Sequence, residues 1–148
     1  MDLLNDLEKT WHPASLGKRW TAAFIDFIFF ELLHLLFFQY ILDLSGNNAG
    51  FISALFFLIL SFILPWFLVF PLLEGINNGK TIGKKLLEIR AAGPGGIRIT
   101  FRKALIRHLF DWVDFLPFFG IVGLVTAFNS PDNQRVGDSV AKTIVIDG

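Results

Sequence analysis

From Thr21 to Ile41 the chain reads T-A-A-F-I-D-F-I-F-F-E-L-L-H-L-L-F-F-Q-Y-I. As a helix this run is long enough to cross a bilayer, which takes about 20 apolar residues. It also carries Asp26, Glu31 and His34. An ionisable group at the bilayer centre costs about 2.5–3.5 kcal/mol on the insertion scale. Three such groups in one span are expected to face protein or water inside a bundle and to belong to a functional site. Arg19 and Asp26 are seven residues apart, so they project from nearly the same side of a helix. Arg19 sits where a long side chain snorkels to the interface. Glu31 and His34, three apart, are within reach of each other on a different sector.

The remaining pattern fits the same environment. Of the 148 residues 53% are hydrophobic, concentrated in long runs, which suits a single mainly α membrane domain rather than a soluble one. Residues 20–41 form the first expected span. Residues 51–73 form the second, with no charged residue and with Pro65 and Pro71 inside it. A kink is expected near Pro65. Ahead of the first span, in residues 1–16, Leu3, Leu7 and Trp11 recur at helical spacing. This amphipathic segment either lies in the membrane interface or packs on the cytoplasmic face. Met1 to His12 lacks a basic start and a small-residue cleavage site, so the first span is expected to stay as an anchor.

Charge sets the orientation. Residues 74–103 hold seven Lys or Arg, whereas the turn at 43–50 holds none. The positive-inside rule then places 74–103 and the N-terminus in the cytoplasm. Within that loop, residues 86–91 and 97–100 flank Gly93-Pro94-Gly95-Gly96 and are expected to form a β-hairpin. A hairpin alone is marginal, and the β-branched run 143–146 is expected to pair with 86–92 as a third strand. The third apolar region, 104–128, is then either one tilted span or a broken, re-entrant pair hinged at Pro117–Gly120. The second arrangement returns the tail, 129–148, to the cytoplasm and lets the strands meet. The expected fold is therefore a mainly α, polytopic membrane protein with three apolar helical regions and a small cytoplasmic hairpin or three-stranded sheet.

Arg107, Asp111 and Asp114 fall on one helical face, with His108 three residues before Asp111. This face is either a solvated interfacial stripe or a polar lining that meets the first span, with Arg107 as the expected counter-ion of Asp26. Several chemistries are excluded. Asn78-Gly79-Lys80-Thr81 resembles the end of a phosphate loop but lacks the spacing and the preceding strand. His12, His34 and His108 form no metal motif, and there is no Cys to supply a thiolate or a disulfide. No nucleophile–base–acid set is recognisable, so no enzyme activity and no cofactor is expected. The basic cluster is explained by topology and anionic headgroups, without nucleic acid.

Four stretches carry a family resemblance. They are R-x-x-A-x-x-I-D at 19–26, N-G-K-T-I-G-K-K-L-L-E-I-R at 78–90, Arg107, and R-V-G-D-S-V-A-K-T-I-V-I at 135–146. Over roughly 17–146 the chain resembles the RDD family of small bacterial membrane proteins. That family is named for an arginine and two aspartates, which by motif look like Arg19, Asp26 and Asp138. A His often precedes the last Asp in the family, and Gly137 stands there in this sequence. The resemblance implies an integral protein of the bacterial cytoplasmic membrane and points to transport, with cation/proton antiport proposed for some members.

Two functions follow as expectations. The first is a transporter exchanging monovalent cations for protons, with Asp26 as the titrating carboxyl and Glu31 and His34 as relay candidates. Three spans do not readily enclose a pathway, so at least a homodimer in the lipid bilayer is implied. The second is a non-transporting scaffold or accessory subunit, whose buried charges lock helix packing and whose cytoplasmic face binds a partner.

Overall fold

The computed structural model describes residues 11–45, 50–115 and 121–148. The N-terminal helix expected before Trp11, most of the first turn and the Pro117–Gly120 hinge lie outside those residues. The first apolar run is one helix, α1 (Leu16–Ser45). It starts behind Pro13, and the Ser15 hydroxyl accepts from the Lys18 amide at 3.3 Å, capping its first turn. The second run begins as α2 (Phe51–Phe67) and passes through Pro65 without leaving α geometry. Contrary to the expected kink at Pro65, the irregularity comes later, as a wider π turn at Leu68–Leu72 around Pro71. A wider turn relieves the clash of the Pro71 ring with the preceding carbonyls and its missing N–H. The helix then closes as α3 (Leu73–Ile76).

Leu16–Leu44 and Ile52–Ile76 are both long and apolar enough to cross a membrane. Only 17% of the most apolar stretch of each is buried in the protein. Core helices of a water-soluble domain would bury that surface. Phe24, Leu32 and Leu36 on α1 and Ile52, Phe56 and Ile59 on α2 point outward instead.

After a tight turn come the short helix α4 (Ile82–Leu86) and strand β1 (Ile89–Ala92). β1 pairs antiparallel with β2 (Ile144–Asp147), with Arg90 opposite Ile146. The expected long-range pairing is therefore present. The expected return strand at 97–100 is not: Pro94–Gly96 forms a 3-10 turn, and the pairing of 97–100 with β1 is reduced to a single bridge, Ala92 to Arg98. The free edge of β2 is occupied from an unexpected direction, by the chain just before α1. The Ala14 amide donates to the Val145 carbonyl at 2.9 Å, and the Asp147 amide donates to the His12 carbonyl at 3.2 Å. Ala14, Ala22, Ile89 and Val145 form a small core beneath this sheet.

The third apolar region is not one helix. It divides into α5 (Phe101–Leu109), α6 (Asp111–Phe115) and α7 (Ile121–Phe128). The longest of these pieces extends about 14 Å, against a hydrocarbon thickness of about 30 Å. Among the described residues no helix of this region is long enough to span alone, which is consistent with the broken alternative, whose hinge at Pro117–Gly120 lies outside those residues. A last short helix, α8 (Val136–Val140), leads into β2.

Candidate functional site: a buried charge network

The polar residues of the apolar helices converge at the end of the second span, on Glu74. Its Oε1 meets Arg107 Nη1 at 2.5 Å, and its Oε2 meets Lys84 Nζ at 2.5 Å and His108 Nε2 at 2.7 Å. Glu74 and Arg107 are wholly buried. Arg107 continues to Asp138, Nη2 to Oδ1, at 2.9 Å. Asp138 is also paired with Arg19, whose second guanidinium nitrogen donates to the Asn133 carbonyl. Asp138 further accepts the Arg135 amide at 3.1 Å and so caps the first turn of α8. His108 Nδ1 faces Asp111 Oδ2 at 2.6 Å, and Arg135 Nη1 lies 3.4 Å from Asp111 Oδ1. With carboxylates on both sides, the doubly protonated His108 ring satisfies both contacts.

Residues from α1, α3, α4, α5, α6 and α8 are thereby joined in one low-dielectric patch. Within it Arg19, Lys84, Arg107, Arg135 and protonated His108 meet the carboxylates of Glu74, Asp111 and Asp138. Burial alone would raise the Asp138 carboxyl, but Arg107, Arg19 and Arg135 overcome it and hold Asp138 well below the usual carboxylate range. Burial likewise lowers the Lys84 ammonium, and the carboxylate of Glu74 opposes that shift.

Asp26 is apart from this network. Its Oδ2 accepts from the Thr81 hydroxyl at 2.5 Å and its Oδ1 from the Gly83 amide at 2.7 Å. The loop that resembles a phosphate cradle thus holds a carboxylate of its own chain. It does so because Ala22 and Gly83 let two backbones touch: a Cβ on Gly83 would overlap the Ala22 carbonyl oxygen. Thr81 also caps α4 by accepting the Lys84 amide. This corrects the expected pairing of Asp26 with Arg107. The start of α4 occupies the space beside Asp26, and Arg107 is committed to Glu74 and Asp138.

Asp114, fully buried, accepts the Gly137 amide at 3.3 Å through Oδ2, while Oδ1 has no hydrogen-bond partner. Glu31 and His34 contact each other at 3.5 Å farther along α1. His34 is packed among Phe30, Phe38 and Phe62, and neither residue bonds to Asp26. They do not form a relay with it.

Of the expected site residues, Arg19, Arg107, Asp111, Asp114 and Asp138 come together. Glu74, Lys84 and Arg135 join them without having been singled out from sequence, and His108 takes a central place it had not been given. A signal for Glu74 was available: it is the one carboxylate at the end of a run without other charges, facing a loop full of cations. The family model of the RDD family matches residues 13–142. The chain belongs to the RDD family. No curated protein and no solved structure matches it.

Arg19 and Asp138, which by motif look like the family's arginine and second aspartate, are ion-pair partners, while Asp26 is a separate anchor for the loop after the second span. Gly137 packs so tightly on α5 that a Cβ would overlap the Arg107 carbonyl oxygen. In this chain the position contributes a backbone amide to Asp114 and no imidazole. Family and apolar helices together describe an RDD membrane-type protein whose polar groups are gathered at one end of its helices.

Proposed function

We propose that this RDD-family protein is a transporter subunit of the bacterial cytoplasmic membrane that exchanges a monovalent cation for protons at its buried carboxyls. In this reading α1 and the α2–α3 helix cross the bilayer. The N-terminus and residues 74–103 face the cytoplasm, and at least two copies together enclose the pathway. One observation carries the reading: among the described residues, Asp26 and Asp114 are buried carboxyls held only by neutral donors, with no cation at ion-pair distance. Desolvation without a counter-ion raises a carboxyl's proton affinity toward the physiological range, where it can exchange protons. Flux in proteoliposomes with pH and cation dyes tests it. Asp26→Asn and Asp114→Asn each keep the side-chain shape and remove titration. Proton-coupled flux present in the wild type and lost in either variant supports transport. Full flux in both variants removes these carboxyls from the mechanism.

A second reading, a non-transporting scaffold, is favoured by the closed arrangement of Glu74, Arg107 and Asp138, in which each charge is met by an opposite one. No wild-type flux for any monovalent cation, together with large stability losses on breaking that arrangement, selects it.

A further inference from the structure

The segment from α5 to α6 is amphipathic the wrong way round for water. Ala104, Arg107, His108 and Asp114 are buried in the protein, whereas Phe101, Leu109, Trp112 and Val113 are exposed, with Leu105 half-buried between them. A water-bathed helix turns its apolar stripe inward. Beyond its first turn, which carries the exposed Arg102, this one turns its charges inward, which suits a hydrocarbon surround.

Its course gives the depth. Gly75 lies against Phe101, Phe70 lies beside His108 with tilted rings whose centroids are 5.5 Å apart, and Phe62 meets Trp112 at 5.9 Å. The segment therefore runs antiparallel to the second apolar helix and descends along it. Within Ile52–Ile76, Phe62 is ten residues from one end and fourteen from the other, close to the middle. Phe62, Ile63, Trp66, Leu109 and Trp112 line one open apolar groove at that level. At the shallow end of the same helical face, seven residues before Leu109, is the exposed cation Arg102, about 10 Å away along the axis.

We propose that this groove is a phospholipid seat: an acyl chain lies between the second helix and α5–α6 down to the level of Trp112, and its phosphate is held by Arg102. The inference rests on the reading that Ile52–Ile76 crosses the bilayer. A cation at the headgroup level above an apolar groove at mid-chain level matches the two ends of one anionic lipid.

The test is quenching of a single tryptophan by brominated phospholipid. In one protein Trp11, Trp20 and Trp66 are replaced by Phe, leaving Trp112. In a second all four tryptophans are replaced by Phe and Leu109→Trp reports from the same groove. In a third, Phe56→Trp in the Trp-free background reports from the outward face of α2. Each is reconstituted in phosphatidylglycerol or phosphatidylcholine vesicles with bromines at mid-chain, and monodispersity in detergent verifies the fold. Trp112 and the Leu109→Trp reporter are expected to lose about half their emission or more to mid-chain bromines and little to aqueous acrylamide. Quenching in phosphatidylglycerol is expected to exceed that in phosphatidylcholine by about two-fold, and Arg102→Gln is expected to abolish the preference. If the Phe56→Trp reporter is quenched by lipid while both groove reporters are not, the proposal is overturned and the span stands. That result with shielding from acrylamide as well assigns the groove to a second copy of the chain. If no reporter is quenched, the spanning reading fails and the proposal with it. A lipid preference that persists in Arg102→Gln overturns the headgroup half.

Discussion

Arg107→Met probes the centre of the network most directly. The thioether side chain fills much of the volume of the arginine stem and removes only the guanidinium. In the wild type that group meets Glu74 at 2.5 Å and Asp138 at 2.9 Å, all three side chains being wholly buried. At an effective dielectric constant near 20, each contact at these separations contributes about 6 kcal/mol of gross attraction. The variant recovers the desolvation cost of the arginine, several kcal/mol, so the gross loss overstates the net effect. Removing one partner of a buried pair costs about 3–5 kcal/mol. The lower end applies here, because Glu74 keeps Lys84 and His108, and Asp138 keeps Arg19 and Arg135. A loss of about 3 kcal/mol in a chain of this size lowers Tm by about 6–12 °C. Thermal unfolding in detergent measures it. Adding Asp138→Asn removes one of the carboxylates left behind, so the double variant should lose less than the sum of the two singles, by about 0.5–3 kcal/mol. A Tm within about 2 °C of wild type, or strict additivity, would refute the idea that Arg107 is the bridging charge.

The remaining expectations follow from the same geometry. Asp138 has its folded-state pKa depressed by Arg107, Arg19 and Arg135 against the opposing effect of burial. Its stabilisation is complete above the unfolded carboxyl value of about 3.9 and is lost as pH falls from there through the folded value. Acid unfolding followed by intrinsic fluorescence should therefore steepen below about pH 4 in the wild type and flatten in Asp138→Asn. Thr81→Val removes the hydroxyl that donates to Asp26 and caps α4, and should cost about 1–3 kcal/mol in the same thermal assay, whereas Thr81→Ser should be close to neutral. Gly83→Ala must push α4 away from the Ala22 carbonyl and should destabilise by about 1–3 kcal/mol; an unchanged Tm would contradict the close approach. A cysteine at the exposed position Lys85 should resist impermeant maleimide on intact cells and react after lysis, and labelling from outside would reverse the proposed orientation.

Much of the architecture is legible without coordinates because it depends on one-dimensional quantities. The length and apolarity of 20–41 and 51–73 are properties of consecutive residues, and α1 and the α2–α3 helix appear where the runs are. The pairing of 144–147 with 89–92 was accessible from β-branched composition and the weakness of a bare hairpin, and the motifs around Arg19, Asp26 and Asp138 mark the RDD family. Which charge meets which was not accessible, because a counter-ion is chosen by three-dimensional proximity. Arg107 and Asp26 looked like partners on charge alone. The small residues Ala22 and Gly83 instead bring the start of α4 against α1, so a hydroxyl and an amide reach Asp26 first and Arg107 is left to bridge Glu74 and Asp138. The outer edge of β2 was likewise decided by tertiary structure. The chain entering α1 lies there, while glycines in the 93–96 turn carry the candidate return strand away. Helical periodicity placed Arg107, His108, Asp111 and Asp114 near one another, but only packing against the second helix determined that this charged face turns into the protein and the apolar face turns out.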